Sequence, residues 1–284
     1  VRGGHQIPAG EFYIENHNYR IEGGYITLQN LFDENMVLQR GKPHRIFGKA
    51  TPNSNITVTL SNGEISSSKT VISDNNEFFM AELDPLPSSP LPYTLNVTDG
   101  KNTKTINNVF IGDVFVLAGQ SNMEQNYYKF HEQLGSGITA KDEPERISNE
   151  MIKHFTISQT TSQTETFNVT YKYGSWKPLN ESNNKELSYI GQYFADEISK
   201  LNPDVPIGIM SVACGGTQID SWMRKSDENK TLNYTPSSGN IYNNHIAPLI
   251  NYKIAGILWY QGENDYQNPK MYEEAFPQLI NDYR

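Results

Sequence analysis

Residues 112–124 read G-D-V-F-V-L-A-G-Q-S-N-M-E, an apolar run from Val114 to Ala118 that stops abruptly at Gly119-Gln120-Ser121-Asn122. A short continuous apolar run of this kind predicts a strand buried on both faces, as in a parallel sheet. The tight, glycine-assisted turn delivers Ser121 to the carboxyl edge of that sheet, where open α/β folds place their ligands. A serine so placed can act as a nucleophile if a base takes its proton and nearby donors hold an oxyanion. The simpler alternative is that Ser121 caps the following helix, because Ser and Asn are good N-caps.

Working downstream, the pattern repeats. Val205 to Val212 is a second apolar run leading into Ala213-Cys214-Gly215-Gly216-Thr217, and Ile254 to Tyr260 is a third leading into Gln261-Gly262-Glu263-Asn264-Asp265. Lys153 to Ile157 predicts another strand, and Leu187, Ile190, Phe194 and Ile198 fall close to helical spacing. A further helix is predicted from Met271 to Arg284. Strand alternating with helix over residues 111–284 implies an α/β layer with a parallel sheet. Parallel strands place their carboxyl ends on one edge, so the three turns should converge. Together they supply a hydroxyl, glycine N–H groups and carboxamides, which are the parts of an acyl-transfer site.

Working upstream, the rhythm changes. From Ile26 to Asn108 short apolar or alternating runs (Met36-Val37-Leu38, Arg45 to Gly48, Ile56 to Leu60, Phe78 to Ala81, Tyr93 to Val97) are separated by turn clusters such as Ser61-Asn62-Gly63 and Thr98-Asp99-Gly100. This predicts a small all-β sandwich over residues 26–110, preceded by an arm at 1–25.

Composition narrows the function classes. The 284 residues carry a net charge of −9, which argues against nucleic acid or an anionic membrane as partner. No run approaches the roughly 18 apolar residues of a membrane span. Cys214 is the single cysteine, so neither an intrachain disulfide nor a cysteine zinc site is expected. Sequons at Asn55, Asn96, Asn168, Asn180 and Asn229, among others, are compatible with an extracytoplasmic location: secreted, lysosomal or periplasmic. The chain starts at Val1 with no basic-plus-apolar leader. Glu263 and Asp265 invite a metal or glycosidase reading, but glycosidase carboxylates come from separate elements, and adjacent acids in one turn more often bond backbone or solvent. Gly215-Gly216 lacks the flanking pattern of a phosphate loop. Trp259 is expected to be buried, whereas Trp222 and Tyr260, at turn edges, are candidates to stack on a sugar. Cys214 is expected to be a small buried neighbour of the site rather than a nucleophile.

Six segments taken together resemble the sialate O-acetylesterases within the SGNH hydrolases: L-F-D-E-N-M-V-L-Q-R (31–40), I-G-D-V-F-V-L-A-G-Q-S-N-M-E (111–124), C-G-G-T-Q-I-D-S-W (214–222), I-Y-N-N-H-I-A-P-L (241–249), I-A-G-I-L-W-Y-Q-G-E-N-D (254–265) and F-P-Q-L-I-N-D-Y-R (276–284). The resemblance covers residue 26 to the end. It implies a three-layer flavodoxin-like SGNH hydrolase layer behind a β-rich domain, with Ser121 attacking an acetyl ester on a sugar hydroxyl. An oxyanion hole is implied from a glycine N–H in Gly215-Gly216, assigned to Gly216, and a carboxamide from the 261–265 turn. The family usually has Ser where Asn264 stands, so Gln261 and Asn264 are alternative carboxamide donors. Gln120, Asn122, Gly215, Glu263 and Asn243 are expected to line the substrate. No metal and no organic cofactor are implied.

The family's catalytic His lies downstream of the Q-G-E turn in an Asp-x-x-His setting. The six histidines here (His5, His17, His44, His131, His154 and His245) lack an Asp three residues before them. His245 stands where the family usually has Met and is expected to be structural or site-lining; His131 is the alternative base. With four parallel strands visible, the sheet is expected to be incomplete at its carboxyl-terminal side, and the chain to be a fragment, a processed subunit, or a polypeptide completed by a further segment supplying the Asp and His. Two functions are therefore expected: a carbohydrate O-acetylesterase, or a carbohydrate-binding or structural protein of the same fold that lacks the base.

Overall fold

A computed structural model describes residues 24–225 and 238–284. The arm expected at 1–25 and the sequon at Asn229 therefore lie largely or wholly outside the described residues. The fold is mixed α/β, with twelve strands and four α-helices in the described residues. The strands are β1 (Ile26–Leu28), β2 (Val37–Gln39), β3 (His44–Ala50), β4 (Asn55–Ser61), β5 (Ser66–Ile72), β6 (Phe78–Leu83), β7 (Ser89–Thr98), β8 (Thr103–Gly119), β9 (Asn149–Thr156), β10 (Lys177–Leu179), β11 (Ile207–Ser211) and β12 (Gly256–Tyr260). The helices are α1 (Ser121–Glu124), α2 (Tyr127–Glu132), α3 (Tyr189–Leu201) and α4 (Pro269–Asp282).

β8 organises the molecule. Its first half pairs antiparallel with β7 and parallel with β2; its second half pairs parallel with β11 on one side and β12 on the other. β9 pairs parallel with β11, so the order β9-β11-β8-β12 holds the four parallel strands expected from the apolar runs. β4 and β5 extend the antiparallel side beyond β7, while β1, β3 and β6 form a separate three-stranded sheet. The strand runs unbroken through residues 110 and 111 for 17 residues.

Side chains of β8 alternate between two cores, as strand geometry requires. Val114, Val116 and Ala118 join the larger apolar cluster, and Leu117 joins a second with Ile152, Ile207, Ile209 and Ala195 of α3. Phe115 meets Phe194 of α3 edge-on with centroids 4.9 Å apart. On the opposite face Trp259 lies against Phe276 of α4, centroids 6.2 Å apart. The 31–40 segment is a clasp onto β8. The Arg40 guanidinium grips Asp113 through two hydrogen bonds (3.0 and 2.8 Å), and Gln39 Oε1 accepts the buried Val114 N–H at 2.8 Å. Fork-to-carboxylate pairing of this kind fixes orientation as well as position.

Candidate active site

The three expected turns do meet. The Gln120 N–H donates to Tyr260 O (3.0 Å) and the Cys214 N–H to Gly119 O (2.9 Å), tying the end of β8 to the ends of β12 and β11. Gly119 makes this approach possible: its φ is +135°, and a Cβ there would lie 2.0 Å from Tyr260 O. Ser121 is the first residue of α1 and is exposed; Gln120 occupies the N-cap position, so the serine hydroxyl does not cap the helix.

Side chains knit the turns together. Gln120 is buried, and its Oε1 accepts from the Asn264 N–H (3.2 Å) and from Gln261 Nε2 (3.3 Å). Gln261 Nε2 also donates to Thr217 O at 2.9 Å and to Asp265 Oδ2. Asn264 Nδ2 donates to Gly216 O at 2.8 Å, and Asn122 Nδ2 donates to Glu263 Oε1. Asp265 is buried, and Oδ2 takes the Ile219 N–H at 3.0 Å; burial raises its carboxyl above the usual range, opposed by the hydrogen bonds from Gln261 and Ile219. Asn243 is not drawn into this cluster: its Nδ2 donates to Ser162 O (3.1 Å) and its own carbonyl accepts the Thr166 N–H (2.9 Å).

The two glycines are not equivalent. The Gly215 N–H is spent on the buried carboxylate of Glu124 (Oε2, 2.9 Å). Gly216, at φ +73°, has no atom within 4 Å of a would-be Cβ, and among the described residues its N–H meets no acceptor. Glu124 closes the nucleophile motif itself and is buried beside Lys129 and Lys172, a placement that only the fold reveals.

The histidines are placed differently. Both ring nitrogens of the fully buried His245 face backbone carbonyls, Val212 O at 2.7 Å and Thr160 O at 2.9 Å, and burial lowers its pKa against those two contacts. His131 Nε2 sits 3.0 Å from Glu143 Oε2, its ring on Tyr127. His154, buried in β9, contacts Asn183 Oδ1 (3.4 Å), and the buried His44 accepts the Leu86 N–H at Nε2 (3.1 Å). Among the described residues none of these rings is hydrogen-bonded to Ser121. Trp222 is fully buried and donates to Thr217 Oγ1 (2.9 Å), so it props the glycine turn from beneath and presents no stacking face. Tyr260 keeps 46% of its surface.

A serine on a strand-to-helix turn, beside a free glycine N–H and carboxamides from neighbouring parallel strands, has the parts list of an acyl-transfer hydrolase. The family model "Carbohydrate esterase, sialic acid-specific acetylesterase" matches residues 111–284, more than half of the chain, and the chain belongs to that family. The sialate O-acetylesterase of Homo sapiens is 26% identical over 282 residues, covering 89% of this chain and 51% of that protein. The sialate O-acetylesterase of Mus musculus is 27% identical over 307 residues, covering 89% and 54%. The chain thus spans about half the length of the curated relatives it matches. The crystal structure of a carbohydrate acetylesterase from Xanthomonas citri shares the fold at a TM-score of 0.73, with 24% identity, over 91% of this chain and 57% of that one.

Proposed function

We propose that this chain carries the nucleophile and oxyanion-binding parts of a serine carbohydrate O-acetylesterase acting on O-acetylated sugars such as sialic acid. In this reading an SGNH-type hydrolase layer spans residues 111–284, a β-sandwich unit spans 26–110, and β8 is common to both. One observation carries it: the exposed Ser121 stands at the meeting point of three parallel-strand turns that are hydrogen-bonded to one another. Ser121 Oγ attacks the acetyl carbonyl carbon. The oxyanion rests on the N–H groups of Ser121 and Gly216 and on the second N–H of the Asn264 carboxamide. Gln261 is the supporting carboxamide, because its nitrogen already faces three acceptors in a buried position. The sugar hydroxyl leaves with a proton from the base, and water then releases acetate from the acyl-serine. Gln120, Asn122, Gly215 and Glu263 form the surroundings of the bound sugar, and Asn243, bonded to Ser162 and Thr166, stands apart from them.

The base comes from a further polypeptide segment bearing an Asp-x-x-His. Supporting this, β12 pairs with β8 alone among the described residues, and Ile257, Leu258 and Trp259 remain only half-buried. A parallel strand added there would bring its carboxyl end to the edge that holds Ser121. The exposed sequon asparagines Asn55 and Asn168 suit an extracytoplasmic location.

The test is acetate release from O-acetylated sialic acid and acetylated xylan by the natural full-length protein and its Ser121→Ala variant. The substitution should lower kcat by about 10³-fold or more. Undiminished release from a folded Ser121→Ala protein would refute the assignment.

A further inference from the structure

The carboxylate of Glu124 is out of place on simple electrostatic grounds. It is 7% exposed, and its Oε2 would lie only 2.9 Å from a Cβ built on Gly215, which in turn would be 3.9 Å from Ser121 Cα. A fixed negative charge so near a developing oxyanion opposes the reaction unless something offsets it and something else requires it. Both conditions are met. Lys129 Nζ and Lys172 Nζ lie 3.7 and 4.0 Å from Oε1, and Glu132 Oε2 lies 3.6 Å from Lys129 Nζ, so two ammonium groups balance two carboxylates. The lysines are too distant for hydrogen bonds, so Oε1 has no hydrogen-bond partner, and the carboxylate's hydrogen bond is the one its Oε2 accepts from the Gly215 N–H.

We propose that Glu124 is a positioning residue for the oxyanion hole: it takes the Gly215 N–H and so turns the next peptide to present the Gly216 N–H. This rests on the esterase reading above. The turn is clamped at three points. Glu124 holds the Gly215 N–H, Thr217 Oγ1 donates to Cys214 O at 2.8 Å, and Asn264 Nδ2 donates to Gly216 O at 2.8 Å. The Gly216 N–H is the next donor along the turn and meets no acceptor among the described residues, in the left-handed conformation that glycine permits. The absence of a side chain at 215 is what lets the carboxylate approach. Lys129 and Lys172 keep the charge of the clamp from reaching the oxyanion.

The test uses the natural full-length protein with Glu124→Ala and Glu124→Gln, reading acetate-release kinetics and NMR amide exchange at Gly215. Glu124→Ala should lower kcat by about 10²-fold with KM within about twofold, the pattern of a lost transition-state donor. It should also speed Gly215 exchange at least about tenfold. Glu124→Gln keeps an acceptor but turns an amide nitrogen toward two ammonium groups, so it should recover part of both losses. Unchanged kcat in Glu124→Ala, a rise in KM at constant kcat, or unchanged Gly215 exchange in both variants would overturn the proposal. If Glu124→Ala does not fold, the Gln variant's kcat and exchange decide on the same criteria. The two ideas fail separately: activity persisting in Ser121→Ala removes the nucleophile, whereas Gly215 exchange tests the clamp whether or not acetate is released.

Discussion

Replacing Gly119 by Ala probes the joint on which the site depends. Two costs combine at this position. The φ of +135° is one that a residue with a Cβ adopts only with strain, about 1–3 kcal/mol. The new methyl would also lie 2.0 Å from Tyr260 O and 2.6 Å from Tyr260 C, well inside the roughly 3.3 Å of a close C···O contact. Relieving it moves β12 from β8 by about 1 Å and stretches the 3.0 Å Gln120 N–H to Tyr260 O bond. Overpacking of this kind typically costs a further 1–3 kcal/mol or so, for a total of about 4 kcal/mol. Gly63 is the internal control. Its φ is +93°, but nothing lies within 4 Å of a Cβ there, so Gly63→Ala carries the backbone cost alone. Equilibrium unfolding in urea should therefore rank Gly119→Ala below Gly63→Ala by about 2 kcal/mol. Equal midpoints for the two variants would refute the claim that strand proximity, rather than backbone conformation, makes glycine necessary before the serine.

Two further outcomes follow from burial. His44 is buried, and its Nε2 accepts the Leu86 N–H, so the folded protein requires a neutral ring and its pKa falls from 6.5 to about 4. Because the unfolded chain takes up the proton first, this stability is complete above about pH 6.5 and is lost as pH falls toward about 4, up to about 3 kcal/mol. Denaturant unfolding between pH 7 and pH 4 should show a shallower pH dependence in His44→Gln than in the parent, and parallel curves would contradict it. Burial, with a contribution from the Glu124 carboxylate, pushes the Cys214 thiol up to about 11. Native protein at pH 8 should resist iodoacetamide until unfolded; rapid alkylation of the folded protein would show that the thiol is not held as described.

How far the residues alone reveal this molecule depends on what each element leans on. The four parallel strands were legible because a strand covered on both faces must be apolar throughout, and that pattern survives in any one sequence. β5 carries no such signal: Ser66, Ser68, Lys69 and Thr70 face solvent, Ser67 is buried but polar, and the strand rests on pairing with β4. β8 runs through the change of rhythm expected at residues 110 and 111; Asn108 takes a positive φ, yet the ladder continues through an irregular register with β7. Convergence of the Ser121, Gly216 and Asn264 turns followed from parallel topology. The division of labour within them did not, because a backbone N–H has no sequence signature. That Gly215 is spent and Gly216 free, and that Gln261 braces while Asn264 stays exposed, depend on contacts between residues about 40 to 90 positions apart.

The same logic bears on the proposed source of the base. A serine turn needs only short-range geometry to stand at the sheet edge, and here hydrogen bonds within 119–124, 214–218 and 260–265 suffice to hold it. A general base needs one free ring nitrogen pointed at the hydroxyl. His245 has neither nitrogen free, His44 is committed to accepting a backbone N–H, and His131 is turned to Glu143. Recruiting any of them would break a contact that burial makes costly to lose, or would require α2 to move. Adding a strand to the unpaired side of β12 breaks nothing among the described residues. It would cover the half-exposed faces of Ile257 and Trp259 and bring its carboxyl end to the sheet edge that holds Ser121. That asymmetry in cost favours the proposal of a base from outside the described residues over a rearranged histidine among them.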